Sequence, residues 1–216
     1  MNPADCRIKK WLRDHLNIEI CEKKLDLLME HKNIVLEKNK FMNLTAITDE
    51  NEFITKHIID SFTLLPLIPN SSEVIDVGTG AGFPGVVLKI MREDIKMYLM
   101  DSKKKRVDFL EETLKNLEIS GVILIHGRSN EWVNKNQKRF GVCTARAVAD
   151  LGKLVSLTFP LLRKGGFLLA MKGPDVQEEM NKAKPIIKMF GGFIADITPF
   201  EIDRGIKRSV VKIAKQ

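Results

Sequence analysis

The sequence predicts an α/β fold in which a mostly parallel sheet of seven strands has helices on both faces and follows an N-terminal helical extension. From residue 73 onward, short apolar runs alternate five times with helical patterns, which is typical of a parallel sheet wrapped by helices. A glycine-rich turn directly follows the first of these runs. The last two runs have no long helix between them, which predicts a terminal hairpin with one antiparallel strand.

Composition limits the classes of protein that this chain can be. Its 216 residues, 44% hydrophobic and 29% charged, suffice for a globular core with an appendage, and we divide them into 1–70 and 71–216. No apolar run approaches the ~20 residues of a membrane span, and the polar start does not resemble a secretory signal, so we expect a cytoplasmic protein. The three cysteines form no C-x-x-C pair, so we expect no metal. The net charge of +7 favours a polyanionic partner.

The first forty residues predict helices. One helix face carries the apolar side chains Ile8, Trp11, Leu12 and Leu16, and a second apolar set begins at Leu25. Many lysines surround both sets. They belong either to a solvated helix face or to a surface that contacts RNA.

A further helix is expected after residue 48, with Thr48 or Asp49 as its cap. It places His57, Asp60 and Ser61 on one face. A Ser-His-Asp triad is disfavoured, because a single helical turn does not easily place the base between nucleophile and orienting acid. Two roles stay open for these residues: an inter-helix hydrogen-bond set, or a place at the edge of a ligand site.

The remaining elements alternate. The predicted strands are 73–77, 95–100, 122–125, 141–145, 166–171, 192–199 and 207–214. The predicted helices are 84–92, 103–118, 129–135, 150–162 and 174–189. Because ligands of open α/β sheets bind beyond the carboxyl ends of the strands, the residues just after each strand are the candidate site.

Residues 74–85 predict a strand, a tight glycine turn and the start of a helix. Gly78, Gly80 and Gly82 permit positive φ angles and let a ligand approach the backbone. The G-x-G-x-x-G pattern that begins at Gly80 also fits a dinucleotide site, but a lone match is weak. Asp76 would repel a pyrophosphate and complement the ammonium or sulfonium of S-adenosylmethionine. The order D-x-G-x-G-x-G is that of the class I methyltransferases.

Asp101 follows the second predicted strand. Its carboxylate can accept hydrogen bonds from the ribose hydroxyls of an adenosine group, or it can simply cap the next helix. The basic run Lys103–Arg106 would suit the 2′-phosphate of NADP, which keeps an NADP oxidoreductase as the alternative function.

The later strands end in further candidates. Ser129 and Asn130 follow the third strand, where an adenine ring is expected. Arg146 and Lys172 follow the fourth and fifth strands and are expected at the pocket mouth. Arg204 lies near the final hairpin turn, with Arg208 close by.

Together these segments resemble one family, the bacterial small-subunit (16S) ribosomal RNA guanine-N7 methyltransferases, also called the glucose-inhibited division protein B family. The matching segments, in chain order, are Asn43-Leu44-Thr45, His57 with Asp60-Ser61, residues 76–85, Asp101 with Lys105-Arg106, Phe109-Leu110, Arg146-Ala147, Lys172-Gly173 and Arg204. The sequence departs from the family at Asn130, where an acidic residue is common, and at Asp203, where a glutamate is commoner.

The resemblance implies S-adenosylmethionine as cofactor and N7 of a guanine in small-subunit ribosomal RNA, naked or in a ribosomal particle, as acceptor. It implies cofactor contacts at Gly78, Phe83, Ser129, Asn130 and Arg146, and the turn analysis adds Asp76, Gly80 and Asp101. Since N7 carries its own lone pair, no general base is expected. Lys172, Arg204 and Arg146 are therefore assigned to positioning and to charge. We expect a monomer.

Two other classes of function stay open on the motifs alone. A non-catalytic RNA-binding module would rest on charge alone and would leave the glycine turn and Asp101 unexplained. A methyltransferase acting on a small molecule or a protein has the same turn, because the turn does not specify its acceptor.

Overall fold

The predicted seven-stranded sheet is present in a computed structural model, which describes residues 3–216. Its strands are β1 Glu73–Val77, β2 Lys96–Asp101, β3 Val122–His126, β4 Phe140–Arg146, β5 Leu162–Lys172, β6 Gly192–Asp203 and β7 Ile206–Lys215. The strand order is β3-β2-β1-β4-β5-β7-β6. Strands β1 to β5 pair in parallel, whereas β7 is antiparallel to both β5 and β6. The mostly parallel sheet and the terminal hairpin are thus confirmed.

Helices cover both faces of the sheet. The α-helices longer than four residues are Pro3–Leu16, Glu22–Met42, Gly85–Met91, Lys104–Asn116, Ser129–Lys135, Leu151–Thr158 and Gln177–Met189. The predicted helix after residue 48 consists of Glu50–Phe53, a π-helical segment Ile54–Ile59 and Asp60–Phe62. Of its two candidate caps, Asp49 is the one used, because its Oδ1 accepts a hydrogen bond from the backbone N–H of Glu52 at 2.8 Å.

Strands β5 and β6 extend furthest beyond their predicted ranges. Strand β5 begins at Leu162 rather than at residue 166, although Gly165 has a positive φ of 70°. Strand β6 continues to Asp203, past Pro199. A proline is tolerated there because β6 is an edge strand, where one side of the backbone needs no partner.

The core forms two apolar clusters. One contains side chains of the N-terminal helices and of the helix after the glycine turn, such as Leu12, Phe53 and Val86. The other contains side chains of the later helices, such as Leu154 and Ile187. The predicted division of the chain at residue 70 stays a prediction.

No helix within residues 3–216 is both long and apolar enough to cross a bilayer.

The glycine at the start of the helix Gly85–Met91 is packed tightly, and we expect Gly85→Ala to destabilise the fold. An added Cβ would collide with the side chain of Leu99 and lie 2.9 Å from Asp76 Oδ2. Overpacking of this kind lowers the free energy of unfolding by about 1–3 kcal/mol. In urea unfolding, Gly173→Ala is the control, since the described part of the chain places nothing within 4 Å of its added Cβ. Equal unfolding midpoints for the two variants would contradict the expectation.

Candidate functional site

The carboxyl ends of the first four strands bring the predicted site residues to one edge of the sheet. Asp76 in β1 is aligned with Leu99 in β2 and with Thr144 in β4. Asp101, the last residue of β2, is aligned with His126 at the end of β3. The glycine turn, Asp101, Ser129 and Arg146 therefore surround one region, as expected for a ligand site in an open sheet.

Asp76 lies beneath the glycine turn and is fully buried. Its Oδ1 accepts a hydrogen bond from Thr144 Oγ1 at 2.9 Å, and its Oδ2 accepts one from the backbone N–H of Gly85 at 3.1 Å. Burial raises the pKa of Asp76 to about 6, because the charged form loses its hydration. Within residues 3–216, no lysine or arginine forms an ion pair with this carboxylate.

Asp101 joins the glycine turn to the following helix. Its Oδ2 accepts a hydrogen bond from the N–H of Gly80 at 3.0 Å, and its Oδ1 accepts one from the N–H of Lys103 at 2.9 Å. Arg106 Nη1 lies 3.4 Å from Oδ2. Lys103 is the N-cap residue of the helix Lys104–Asn116, so Asp101 bonds the residue before that helix and does not cap it. A carboxylate has roughly four acceptor sites, so capacity for one more donor remains.

Phe83 packs the glycine turn against the helical segments that contain His31 and His57. Its ring stacks on His31 and on His57, each with a centroid distance of 4.8 Å, and its side chain is buried. His31 Nε2 donates to the carbonyl of Ala81 at 3.0 Å, and burial lowers the pKa of His31 to about 4. Sequence reasoning missed His31. The available signal was its spacing from Leu28 and Val35 on the buried face of the helix.

Ser129 and Asn130 begin the helix after β3. Ser129 is buried, whereas Asn130 is exposed. Of these two residues, Asn130 is the one whose side chain is accessible.

Arg146 borders a cavity of about 400 Å³ beyond the ends of β4 and β5. Its Nη1 donates to the carbonyl of Lys56 at 2.7 Å and to Asp60 Oδ2 at 3.3 Å, and its Nη2 donates to His57 Nδ1 at 2.8 Å. The guanidinium also lies over the ring of Phe83, 5.5 Å from its centroid. Arg146 thus links Phe83 of the glycine turn to the cavity.

Lys172 borders the same cavity, so the structure brings together two of the three residues assigned to positioning and charge. Its Nζ donates to the carbonyl of Ala149 at 2.8 Å and to Glu179 Oε1 at 2.7 Å. An ammonium has three hydrogens, so one remains for a ligand.

Arg204, the third of these residues, lies elsewhere. It borders a separate cavity of about 240 Å³ beside Trp11 and His15. Arg208 occupies the cavity instead, with its Nε 3.4 Å from Asp60 Oδ1. Sequence reasoning placed Arg208 near the hairpin turn but did not select it. Knowing which residue faces the cavity requires the strand register.

A family model described as GidB, rRNA small subunit methyltransferase G, matches residues 24–204. The chain is 39% identical over 205 residues to "Ribosomal RNA small subunit methyltransferase G" of Clostridium botulinum (strain Loch Maree / Type A3), covering 93% of this chain and 86% of that protein. It is 38% identical over 206 residues to the protein of the same description from Desulfitobacterium hafniense (strain Y51), covering 94% and 86%.

Solved structures share the fold. The precorrin-6y C5,15-methyltransferase of Geobacter metallireducens GS-15 superposes with a TM-score of 0.54 at 11% identity, covering 79% of this chain and 90% of that chain. M. jannaschii TYW2 in complex with AdoMet superposes with a TM-score of 0.52 at 16% identity, covering 74% and 76%. At these identities the likeness shows a class I methyltransferase fold.

Proposed function

The chain belongs to the GidB family, rRNA small subunit methyltransferase G, and on this basis we propose that it transfers the methyl group of S-adenosylmethionine to N7 of a guanine in small-subunit ribosomal RNA. The family resemblance drawn from the motifs is confirmed, and with it the enzyme class. The observation that supports the finer proposal most directly is Arg146, which connects the glycine turn to a cavity bordered by basic side chains. A ribosomal RNA acceptor implies action in the cytoplasm, and we propose that the protein acts as a monomer.

The residues at the strand ends fit a cationic nucleoside cofactor. Asp76 is a buried carboxylate without an ion-pair partner in the described part of the chain, so a cation above the turn would complement it and a pyrophosphate would be repelled. We assign cofactor binding to Asp76, Gly78, Gly80, Phe83, Asp101, Ser129, Asn130 and Arg146. S-adenosylmethionine supplies a methyl group on a positively charged sulfur.

The cavity beyond Arg146 supports a guanine as acceptor. Arg146 has five N–H donors, and neither its Nε–H nor one Nη2 hydrogen has an acceptor among residues 3–216. These donors suit guanine O6, which lies beside N7 on the same edge of the base. N7 needs no general base, so this chain's residues would act by holding the ring in line with the sulfur–methyl bond.

The remaining cations suit the RNA backbone. Lys56, Lys172 and Arg208 border the cavity, where they can contact phosphates. Arg208 also borders a neighbouring cavity of about 290 Å³ that contains Pro174 and Phe200. Its lining also includes Glu201 and Lys207. Phe200 beside Arg208 suits the nucleotide next to the target, because single-stranded bases are bound by stacking and by phosphate contacts.

The direct test is transfer of labelled methyl from S-adenosylmethionine to small-subunit ribosomal RNA that lacks modification, offered naked and as the assembled subunit. We expect label in 7-methylguanosine at one position. Label in another nucleoside would keep the enzyme class and overturn the guanine-N7 assignment. Failure both to transfer label and to bind S-adenosylhomocysteine would favour the dinucleotide alternative at Lys103–Arg106. Light scattering of the eluted protein would test the monomer.

Lys172→Ala is expected to impair the use of RNA more than the binding of cofactor. Losing one charge-assisted hydrogen bond to a phosphate or to O6 should raise KM for RNA roughly 10- to 100-fold. The dissociation constant for S-adenosylhomocysteine, measured by calorimetry, should stay within about twofold, since the hydrogen bonds of Lys172 within residues 3–216 go to Ala149 and Glu179 and not to the glycine turn. The control is Lys182→Ala, which removes an exposed lysine from the helix Gln177–Met189. Equal losses in RNA use and cofactor binding would contradict a role confined to the acceptor.

A further inference from the structure

His57, which borders the cavity, and Thr45 belong to matching segments to which the proposed function assigns no role. His57 lies in the π-helical segment Ile54–Ile59, and Thr45 lies in the loop after the helix Glu22–Met42. Their side chains meet, with His57 Nε2 2.8 Å from Thr45 Oγ1. The other ring nitrogen, Nδ1, is 2.8 Å from Arg146 Nη2. A chain of two hydrogen bonds therefore runs from the loop through the imidazole to the guanidinium.

The direction of each hydrogen bond follows from the chemistry of arginine. A guanidinium has only donors, so Nδ1 of His57 must accept and carries no proton. The neutral ring then holds its proton on Nε2 and donates it to Thr45 Oγ1. Both ring nitrogens are thus occupied, and only one tautomer satisfies the two contacts.

Thr45 is itself held in place from the helix end. Asn39 Oδ1 accepts from the backbone N–H of Leu44 at 2.6 Å and of Thr45 at 2.9 Å, while Asn39 Nδ2 donates to the carbonyl of Thr45 at 2.9 Å. Thr45 Oγ1 accepts a further hydrogen bond from the N–H of Ile47, which borders the cavity. The Thr45 hydroxyl that accepts the hydrogen bond from the imidazole N–H is therefore held in a fixed position.

The imidazole is unsuited to proton transfer. Burial, and then the neighbouring charge of Arg146, lower the pKa of His57 to about 3, so the ring stays neutral at working pH. The ring also stacks on Phe83 and meets Phe53 edge to face. What remains for it is the orientation of Arg146.

We infer that His57, held by its hydrogen bond to Thr45, is a positioning residue that fixes the guanidinium of Arg146 over the ring of Phe83, so that its unused N–H groups can meet a base in the cavity. This inference rests on the proposed function, in which those N–H groups orient the acceptor base. It predicts that Thr45, which does not line the cavity, affects the rate of methyl transfer through His57 and Arg146.

The kinetic test compares Thr45→Val, which removes the hydroxyl at nearly constant volume, with Thr45→Ser, which keeps it. We expect Thr45→Val to lower kcat about tenfold and Thr45→Ser to leave it within about twofold, with KM for S-adenosylmethionine unchanged in both. Thr113→Val is the control, because within residues 3–216 that buried hydroxyl donates to the carbonyl of Phe109 in its own helix. For His57, we expect Gln to retain more than about a third of kcat and Phe to lose more than about thirtyfold, since only Gln reproduces both hydrogen bonds.

Nitrogen-15 NMR of the histidine rings gives a readout that does not depend on activity. We expect His57 to show a protonated Nε2 and an unprotonated Nδ1 between about pH 5 and pH 8, and to lose this fixed tautomer in Thr45→Val. A proton on Nδ1, an ordinary titration near neutral pH, or an unchanged kcat in His57→Phe would each overturn the inference. A wild-type protein with the expected spectrum but no methyl transfer would overturn the proposed function alone.

Discussion

Replacing Arg146 with lysine is expected to slow methyl transfer roughly 100- to 1,000-fold at saturating cofactor, the loss typical of removing one well-aimed donor from an active site. The guanidinium contacts the carbonyl of Lys56, the carboxylate of Asp60 and Nδ1 of His57 at the same time. An ammonium is a point donor and cannot reach all three from one position. The substitution keeps the positive charge beside Asp60, so the rate loss would report geometry rather than an uncompensated buried charge.

The measurement is a single-turnover rate with excess enzyme, since this separates chemistry from product release. Because the resemblance also implies a cofactor contact at Arg146, the affinity for S-adenosylhomocysteine is measured separately, and we expect it to fall no more than about tenfold. Arg92→Lys is the control, because that guanidinium also contacts a carboxylate and backbone carbonyls but borders the loop before β2, away from the cavity. A rate within about threefold of the wild type in Arg146→Lys would remove Arg146 from the mechanism.

Much of this site could be predicted because it follows from the positions of strand ends. Apolar runs and turn residues locate a strand to within a few residues, and β1 was predicted with its observed bounds. Asp76, Asp101 and Arg146 were then selected simply because each lies at the carboxyl end of a parallel strand. Parallel topology brings such ends together without further information about register.

The antiparallel end of the sheet shows where this reasoning stops. Which side chain of a hairpin faces a pocket depends on register, and a slip of one residue reverses the face. In β6 the pairing shifts between Glu201 and Asp203, so residues near the turn cannot be placed by counting. Arg204 therefore faces one cavity and Arg208 another.

The contacts between the N-terminal helices and the glycine turn could not be predicted from the sequence either. Periodicity can place His31 and His57 on buried helix faces, but it does not identify the ring that each will meet. Both pack on Phe83, which comes from a different part of the chain. Their neutral, desolvated state follows from that packing and has no counterpart in the linear sequence.

Asp76→Asn is expected to weaken the binding of S-adenosylmethionine roughly 30- to 150-fold at about pH 8, where the wild-type carboxylate is ionised. Opposite charges about 6–8 Å apart attract by about 2–3 kcal/mol at an effective dielectric constant of ~20. Asparagine has nearly the same shape as aspartate. Its amide oxygen can still accept the hydrogen bond from the N–H of Gly85, and its amide nitrogen can donate one to the hydroxyl of Thr144, so the turn should keep its geometry. Affinity in the wild type should rise as pH increases through about 6, and in the variant it should not.

Ionisation of Asp76 should lower the stability of the wild-type fold while it raises the affinity for cofactor. The pKa of Asp76 in the folded protein, about 6, lies above the ordinary value of 3.8, so its contribution to stability is present at low pH and is lost as pH rises through 6. At 1.36 kcal/mol per unit, this loss is about 3 kcal/mol. The variant should therefore gain stability relative to the wild type as pH rises from about 3.8 to about 6, measured by urea unfolding. Taking the difference between variants cancels the titration of His31 and His57.

The choice of ligand identifies which positive charge Asp76 acts on. S-adenosylhomocysteine keeps the ammonium of S-adenosylmethionine but lacks the sulfonium charge. A greater loss of affinity for S-adenosylmethionine in Asp76→Asn would place the effect on the sulfur, and equal losses would place it on the amino group. Asp108→Asn is the control, because that carboxylate is exposed on the next helix and pairs only with Lys104 within residues 3–216. Calorimetry at about pH 8 compares the wild type with Asp76→Asn for each ligand. If neither ligand's affinity differed between the two proteins, the role of Asp76 would be limited to holding the turn through Gly85 and Thr144.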